Sequence, residues 1–192
     1  MSKVSQADAA AHRNTVVTSA SRMLRERGAA GVSVQDAMAA AGLTHGGFYK
    51  HFESKDALIG EAAAQSFDQV LDLIDRATTS GDAVAARASI IDDYLTATHR
   101  DLPADGCANT ALAAESARAT PDSPLRAAYL AGVRETIARL EAVEPTAGAH
   151  ARAVEDLAMM VGALTLARAT QGDPISDQVL SIARAALARG ID

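Results

Sequence analysis

Ser33 to Asp56 reads SVQDAMAAAGLTHGGFYKHFESKD. Two short helical stretches meet there at Gly42, with Leu43 tucked between them. Ser33 stands where a cap is needed for a helix over residues 34–41, and Asp36 puts a carboxylate at that helix's positive end. Gly42 stops it, because glycine takes the left-handed conformation that ends helices. Thr44 is placed to cap a third, very short helix over residues 45–52. Ser54 does the same for a fourth, with Asp56 in its first turn. A tight helix–turn–helix with glycine in the turn sets the second helix across the first.

Phe48 and Phe52 are four residues apart, so they share one face and anchor the short helix to its neighbours. Thr44, His45, Gly46, Gly47, Lys50 and His51 are left on the opposite face, with Tyr49 at its edge. That face suits a DNA major groove. First-turn N–H groups favour an anion, His45 and Lys50 reach base edges or phosphates, and two glycines let the backbone approach closely. Gly46 and Gly47 each cost ~1 kcal/mol relative to Ala in a helix, which makes little sense unless something comes up against the backbone. The candidate DNA-contacting set is Ser33, Gln35, Thr44, His45, Gly46, Gly47, Tyr49, Lys50, His51 and Lys55. Against it stands the plainer reading, that the phenylalanines are core and the polar groups are solvated.

The run from Gly42 to Phe52, followed by Ser54-Lys55-Asp56-Ala57-Leu58, resembles the signature of the TetR family almost position by position. The clear resemblance covers about residues 10–60. It implies a DNA-binding domain at residues 1–53, built from three helices, and a ligand-binding and dimerisation domain at residues 54–192. One departure stands out: Ala37 and Met38 invert the usual order of a large aliphatic and a small residue. Their total volume is similar, so local repacking is expected and not loss of the fold.

Working outward, the first helix is expected over residues 9–27 and the fourth from 54 to about 77. Five more are expected at 83–99, 108–119, 123–143, 149–170 and 175–189, each break marked by proline or glycine. No alternating strand pattern appears. The fold class is all-α, with about nine helices. Aromatics are only 3% of the 192 residues against 48% hydrophobic, so the core must be built from Ala, Leu, Val, Ile and Met. Net charge is −6, but residues 1–56 carry seven Lys/Arg against five Asp/Glu. A mildly basic head on an acidic body fits contact with phosphate at one end. The lone Cys107 excludes a zinc–cysteine cluster and an intramolecular disulfide. The N-terminal run lacks the apolar stretch of a signal peptide, and the longest uncharged apolar run is too short to span a bilayer, so a cytoplasmic location is expected. A glycine-rich phosphate loop, a Gly-x-Ser-x-Gly elbow and a His-Glu-x-x-His pair are all missing, which argues against an enzyme. No metal or cofactor is expected.

The resemblance further implies a homodimer held by the last two helices, a palindromic double-stranded operator, and a small-molecule inducer that releases a repressor from it. Interface candidates are Leu157, Val161, Leu164, Val179, Ile182 and Ala186. Candidates on inward-looking faces for a ligand are Phe67, Tyr94, Asn109, Met159 and Met160; Glu115 and Arg118 read as solvated. Cys107 follows Asp105-Gly106 and precedes a helix, where thiol pKa is lowered; a Gly-Cys before this helix looks like a branch of the family that includes electrophile sensors. Two alternatives stay open here: a helical protein-binding adaptor that does not bind DNA, and a thiol-based electrophile or redox sensor of the same fold using Cys107.

Overall fold

The computed structural model describes residues 6–79 and 81–189. These residues are all-helical. The helices are α1 (Gln6–Arg27), α2 (Val34–Ala40), α3 (Lys55–Thr78), α4 (Ala83–Tyr94), α5 (Ala97–Asp101), α6 (Ala108–Ala111), α7 (Ala113–Arg118), α8 (Pro124–Val143), α9 (Ala149–Ala169) and α10 (Pro174–Arg189). Three 3-10 turns lie between them, at Ala29–Gly31, His45–Lys50 and Pro103–Asp105.

Capping fixes the ends much as the sequence indicates. The hydroxyl of Ser33 accepts from Asp36 N at 3.1 Å and that of Ser54 from Ala57 N at 3.0 Å. Two expected helices are split. The run at 83–99 breaks after Tyr94, where Leu95 turns fully into the core and Thr96 starts α5 by accepting from His99 N at 3.1 Å. The ring of His99 then bonds the Tyr94 carbonyl at 2.8 Å, satisfying an acceptor the broken helix leaves open. The run at 108–119 breaks at Leu112, which is also fully buried. In both cases burying a leucine outweighs continuing the helix, an exchange worth about 1.5–3 kcal/mol.

α3 runs from the head into the body and packs along α1 on one side and α8 on the other. Phe67 of α3 lies against Gly132 of α8, where a methyl would come within 2.3 Å of the ring. Arg87 of α4 is buried with Asp156 of α9 in a two-pronged pair, both contacts 2.7 Å, and also donates to the Leu187 carbonyl at 3.2 Å. This buried cluster ties the α9–α10 pair to α4.

The α9–α10 pair corrects part of the interface expectation. Leu157 and Leu164 point into the chain's own core, Leu164 completely, so they are not available to a second subunit. Val161, Val179 and Ala186 are half-buried, and Ile182 is 65% exposed. Beside them Leu166, Ile175 and Met159 lie open to solvent. α9 is apolar around most of its circumference, so spacing alone cannot say which stripe meets its own chain. Among the described residues no helix is long and apolar enough to cross a membrane.

Candidate nucleic-acid interface

The head is built by α1, α2 and the 3-10 turn at His45–Lys50. Ala37 and Met38 are both fully buried, so the inverted pair is accommodated within the core. Gly42 takes φ of +68°, which a β-carbon would strain, and Leu43 N bonds back to Met38 O at 3.0 Å. The segment that follows is a 3-10 turn and not the α-helix expected over residues 45–52. Its bonds run from Gly47 N to Thr44 O at 2.9 Å and from His51 N to Phe48 O at 2.9 Å. Two consecutive glycines give little support to a regular α-turn. The Thr44 side chain makes no capping bond, which corrects that expectation and leaves the hydroxyl outward.

Phe48 and Phe52 are buried and stacked, centroids 5.4 Å apart. Arg13 of α1 holds this clamp from behind. Its guanidinium sits 4.8 Å from the Phe52 ring centroid, its Nε donates to the His51 carbonyl at 3.4 Å, and it pairs with Glu61 of α3 at 2.7 Å. Arg13 was not among the residues the sequence singles out; its basic character near the head is the one available signal.

Gln35, Thr44, His45, Gly46, Tyr49, Lys50 and Lys55 are exposed, while Ser33, Gly47 and His51 are half-buried. Tyr49 is 78% exposed, with its ring edge-on to Phe48 at 5.2 Å. Gly46 has open space where a side chain would be, and at Gly47 the nearest atom is Met38 Cε at 3.7 Å. Neither glycine has positive φ. Nothing in the chain's own packing therefore requires glycine at either place. All three lysines of the chain, Lys3, Lys50 and Lys55, belong to the first 56 residues; Lys3 lies outside the described residues.

The ligand candidates do not form one group. Tyr94 and Cys107 line a cavity of about 450 Å³ between α3, α4, α5 and residues 102–107. Burial pushes the Tyr94 phenol well above its ordinary value of 10. Cys107 is the cap residue of α6, and its N–H donates to His99 Nε2 at 2.9 Å. Asn109 is buried behind the cavity, its amide nitrogen 3.4 Å from Cys107 Sγ and 3.3 Å from Thr136 Oγ1. Phe67 is core, edge-on to Tyr129 at 5.9 Å. Met160 lines a separate small cleft with Arg87 and Asp156. Met159 is 41% exposed on the outer side of α9, so it is not inward-looking: one residue along a helix turns a side chain by about 100°. Glu115 is not simply solvated either, since its carboxylate accepts from Ala29 N at 2.8 Å. Arg118 is exposed.

Residues 16–62 match the family described as bacterial regulatory proteins, tetR family. Half of the chain, 95 residues, is 34% identical to the HTH-type transcriptional repressor DhaR of Mycobacterium sp. (strain GP1), and the match spans 47% of that protein. A TetR transcriptional regulator from Chloroflexus aurantiacus superposes with a TM-score of 0.76 at 26% identity, over 95% of this chain and 94% of the other. The reduced form of Escherichia coli NemR shares the fold with a TM-score of 0.75 at 19% identity, over 93% and 96% of the two chains. The head's sequence matches the tetR family of bacterial regulatory proteins, and the body shares the helical architecture of solved TetR regulators.

Proposed function

We propose that this protein is a repressor that binds a palindromic DNA operator as a homodimer and is released from it by a small-molecule inducer. The observation that carries the reading is the open backbone at Gly46 and Gly47, backed by the buried Phe48–Phe52 pair. A rigid apolar clamp holds the turn while its outer side offers backbone, imidazole, ammonium and hydroxyl groups. In a DNA complex His45 and Lys50 meet base edges, and Thr44, Tyr49, His51 and Lys55 meet phosphate strands; Ser33 and Gln35 contact DNA from the start of α2. Base-edge contacts select sequence, and phosphate contacts set register.

Dimerisation through the outer side of α9 and α10 is supported by its exposed Met159, Leu166, Ile175 and Ile182 around half-buried Val179 and Ala186. Two heads related by twofold symmetry read half-sites about 34–36 Å apart or a multiple of that. The inducer site is the cavity bearing Tyr94 and Cys107. A ligand that prefers a state with misplaced heads weakens operator binding by its differential affinity.

A gel-shift experiment with DNA from upstream of the protein's own gene tests this reading. It should give a shift that weakens steeply as salt rises, and Lys55→Ala, which removes a phosphate contact, should lower the salt slope by about one. A protein adaptor would give no salt-sensitive shift. A second reading, in which Cys107 senses electrophiles, is favoured by its place on the cavity wall. Under it, alkylation of Cys107 abolishes the shift and Cys107→Ser protects against that loss.

A further inference from the structure

The two glycines of the turn face different ways. A β-carbon on Gly46 would meet nothing within 4 Å, whereas one on Gly47 would lie 3.7 Å from Met38 Cε and 4.0 Å from Thr44 Oγ1. The missing side chain of Gly47 thus points back toward α2, and the Met38 methyl closes the space beneath it. Met38 is fully buried near the end of α2. Its carbonyl accepts from Ala41 N at 3.1 Å and from Leu43 N at 3.0 Å. The chain therefore folds back over this residue on its way through Gly42 into the turn.

The turn rests on two supports. At its rear, Phe48 and Phe52 are buried and stacked. At its front the Thr44 side chain makes no capping bond, and Gly47 N bonds Thr44 O at 2.9 Å within the turn itself. Gly46 and Gly47 bring no side chains to anchor that front, so its height follows what lies beneath it. We infer that Met38 is a positioning residue for operator selection: the length of its buried side chain sets how far the backbone at Gly46 and Gly47 stands out from α2, and thereby which base pairs the turn accepts. This rests on the proposed function, with the outer side of the turn in a groove.

Readout is sensitive to such a height. Hydrogen bonds to base edges hold over about 2.7–3.2 Å and weaken beyond it, so a small tilt of the front forfeits a contact from His45 or the backbone. Tyr49 and Lys55 reach phosphates on long side chains that follow the same tilt, and phosphate contacts carry no base information. Met38 is also where the chain departs from the TetR pattern it resembles, in which a small residue stands here and a large aliphatic at the place of Ala37. Ala37 is itself fully buried. The inversion moves bulk one position along α2, about 100° round the helix, and brings it under the turn.

Two variants of the full chain test this. Met38→Leu conserves volume, which cores tolerate, but ends one bond short of the methyl beneath Gly47. Ala37→Leu combined with Met38→Ala moves the bulk back. The wild type first selects a site from random-sequence duplexes. All three proteins, their folding checked by circular dichroism, are then titrated by fluorescence anisotropy against that site, its single-base-pair substitutions, and a duplex of unselected sequence over a series of salt concentrations. The wild type should discriminate by about five- to a hundredfold at each base pair it reads. In Met38→Leu, discrimination at a few adjacent base pairs of each half-site should change by about fivefold or more, while affinity for unselected DNA and its salt slope stay at wild-type values. The double variant should alter the same base pairs; should it fail to fold, Met38→Leu decides. Unchanged preferences in Met38→Leu overturn the inference. So does an affinity loss uniform across all sequences, which is what mere loosening of the head would give. Failure of the wild type to bind any duplex is a different result: it refutes the DNA-binding reading itself, and the role of Met38 falls with it.

Discussion

Replacing Gly46 by alanine separates packing from DNA contact. An added β-carbon at Gly46 meets nothing within 4 Å, and the backbone there is not in the left-handed region. Folding should therefore be unaffected or strengthened, by about 0.4–1 kcal/mol, because alanine restricts the unfolded chain more than glycine does. If this backbone lies against base edges, the same methyl group should weaken operator binding by about 1–3 kcal/mol, the range for a lost specific contact. Gly42→Ala is the contrasting case. Its φ of +68° makes alanine costly by about 1–2 kcal/mol in folding, so it should lower stability first. Urea unfolding followed by circular dichroism and anisotropy of a labelled operator, run on the same preparations, give the two numbers. Wild-type DNA affinity in a fully folded Gly46→Ala protein would refute the reasoning, because nothing would then approach the backbone at that position.

Ile182→Glu with Met159→Glu should convert a dimer to monomers in sedimentation velocity, whereas Leu157→Ala, in the chain's own core, should lower stability by about 2–5 kcal/mol and leave association intact. Arg87→Met strands the Asp156 carboxylate in a buried site and should cost about 3–5 kcal/mol in chemical unfolding; adding Asp156→Leu should restore most of it. Burial holds His99 below its ordinary 6.5, the Tyr94 carbonyl partly opposes this, and Arg168 adds to it. The unfolded chain thus binds that proton more tightly, so this contribution to stability is full above pH 6.5 and is lost as pH falls toward the lowered folded value. Thermal unfolding of wild type and His99→Gln should accordingly diverge as pH falls from about 6.5, and parallel curves would count against it.

Much of the head was legible because its signals are local. Ser33 and Ser54 cap where hydroxyls precede apolar runs, Gly42 turns where a helix ends, and the four-residue spacing of Phe48 and Phe52 marks the buried side. The misread elements depend on distant partners. Leu95 and Leu112 break helices because a pocket elsewhere in the chain accepts them. Leu157, Met159 and Leu164 are equally apolar, and only the packing of α9 shows which of them face their own core. Glu115 looks like a surface acid until the fold brings Ala29 N to it, 86 residues away in sequence. Arg13 and Arg25 act through backbone carbonyls, and no residue type in the sequence advertises such a bond.

Cleavage of DNA from a probe at position 46 tests most directly whether the turn at His45–Lys50 enters a groove. The protein would carry Gly46→Cys with Cys107→Ala, with an iron–EDTA group tethered to the new thiol, and would be bound to its selected operator. Two clusters of strand cuts, symmetric about the operator centre and spaced about 34–36 Å or a multiple of that, are the predicted result. Cuts no more frequent than those from the same probe tethered at Thr146→Cys, an exposed position between α8 and α9, would contradict it.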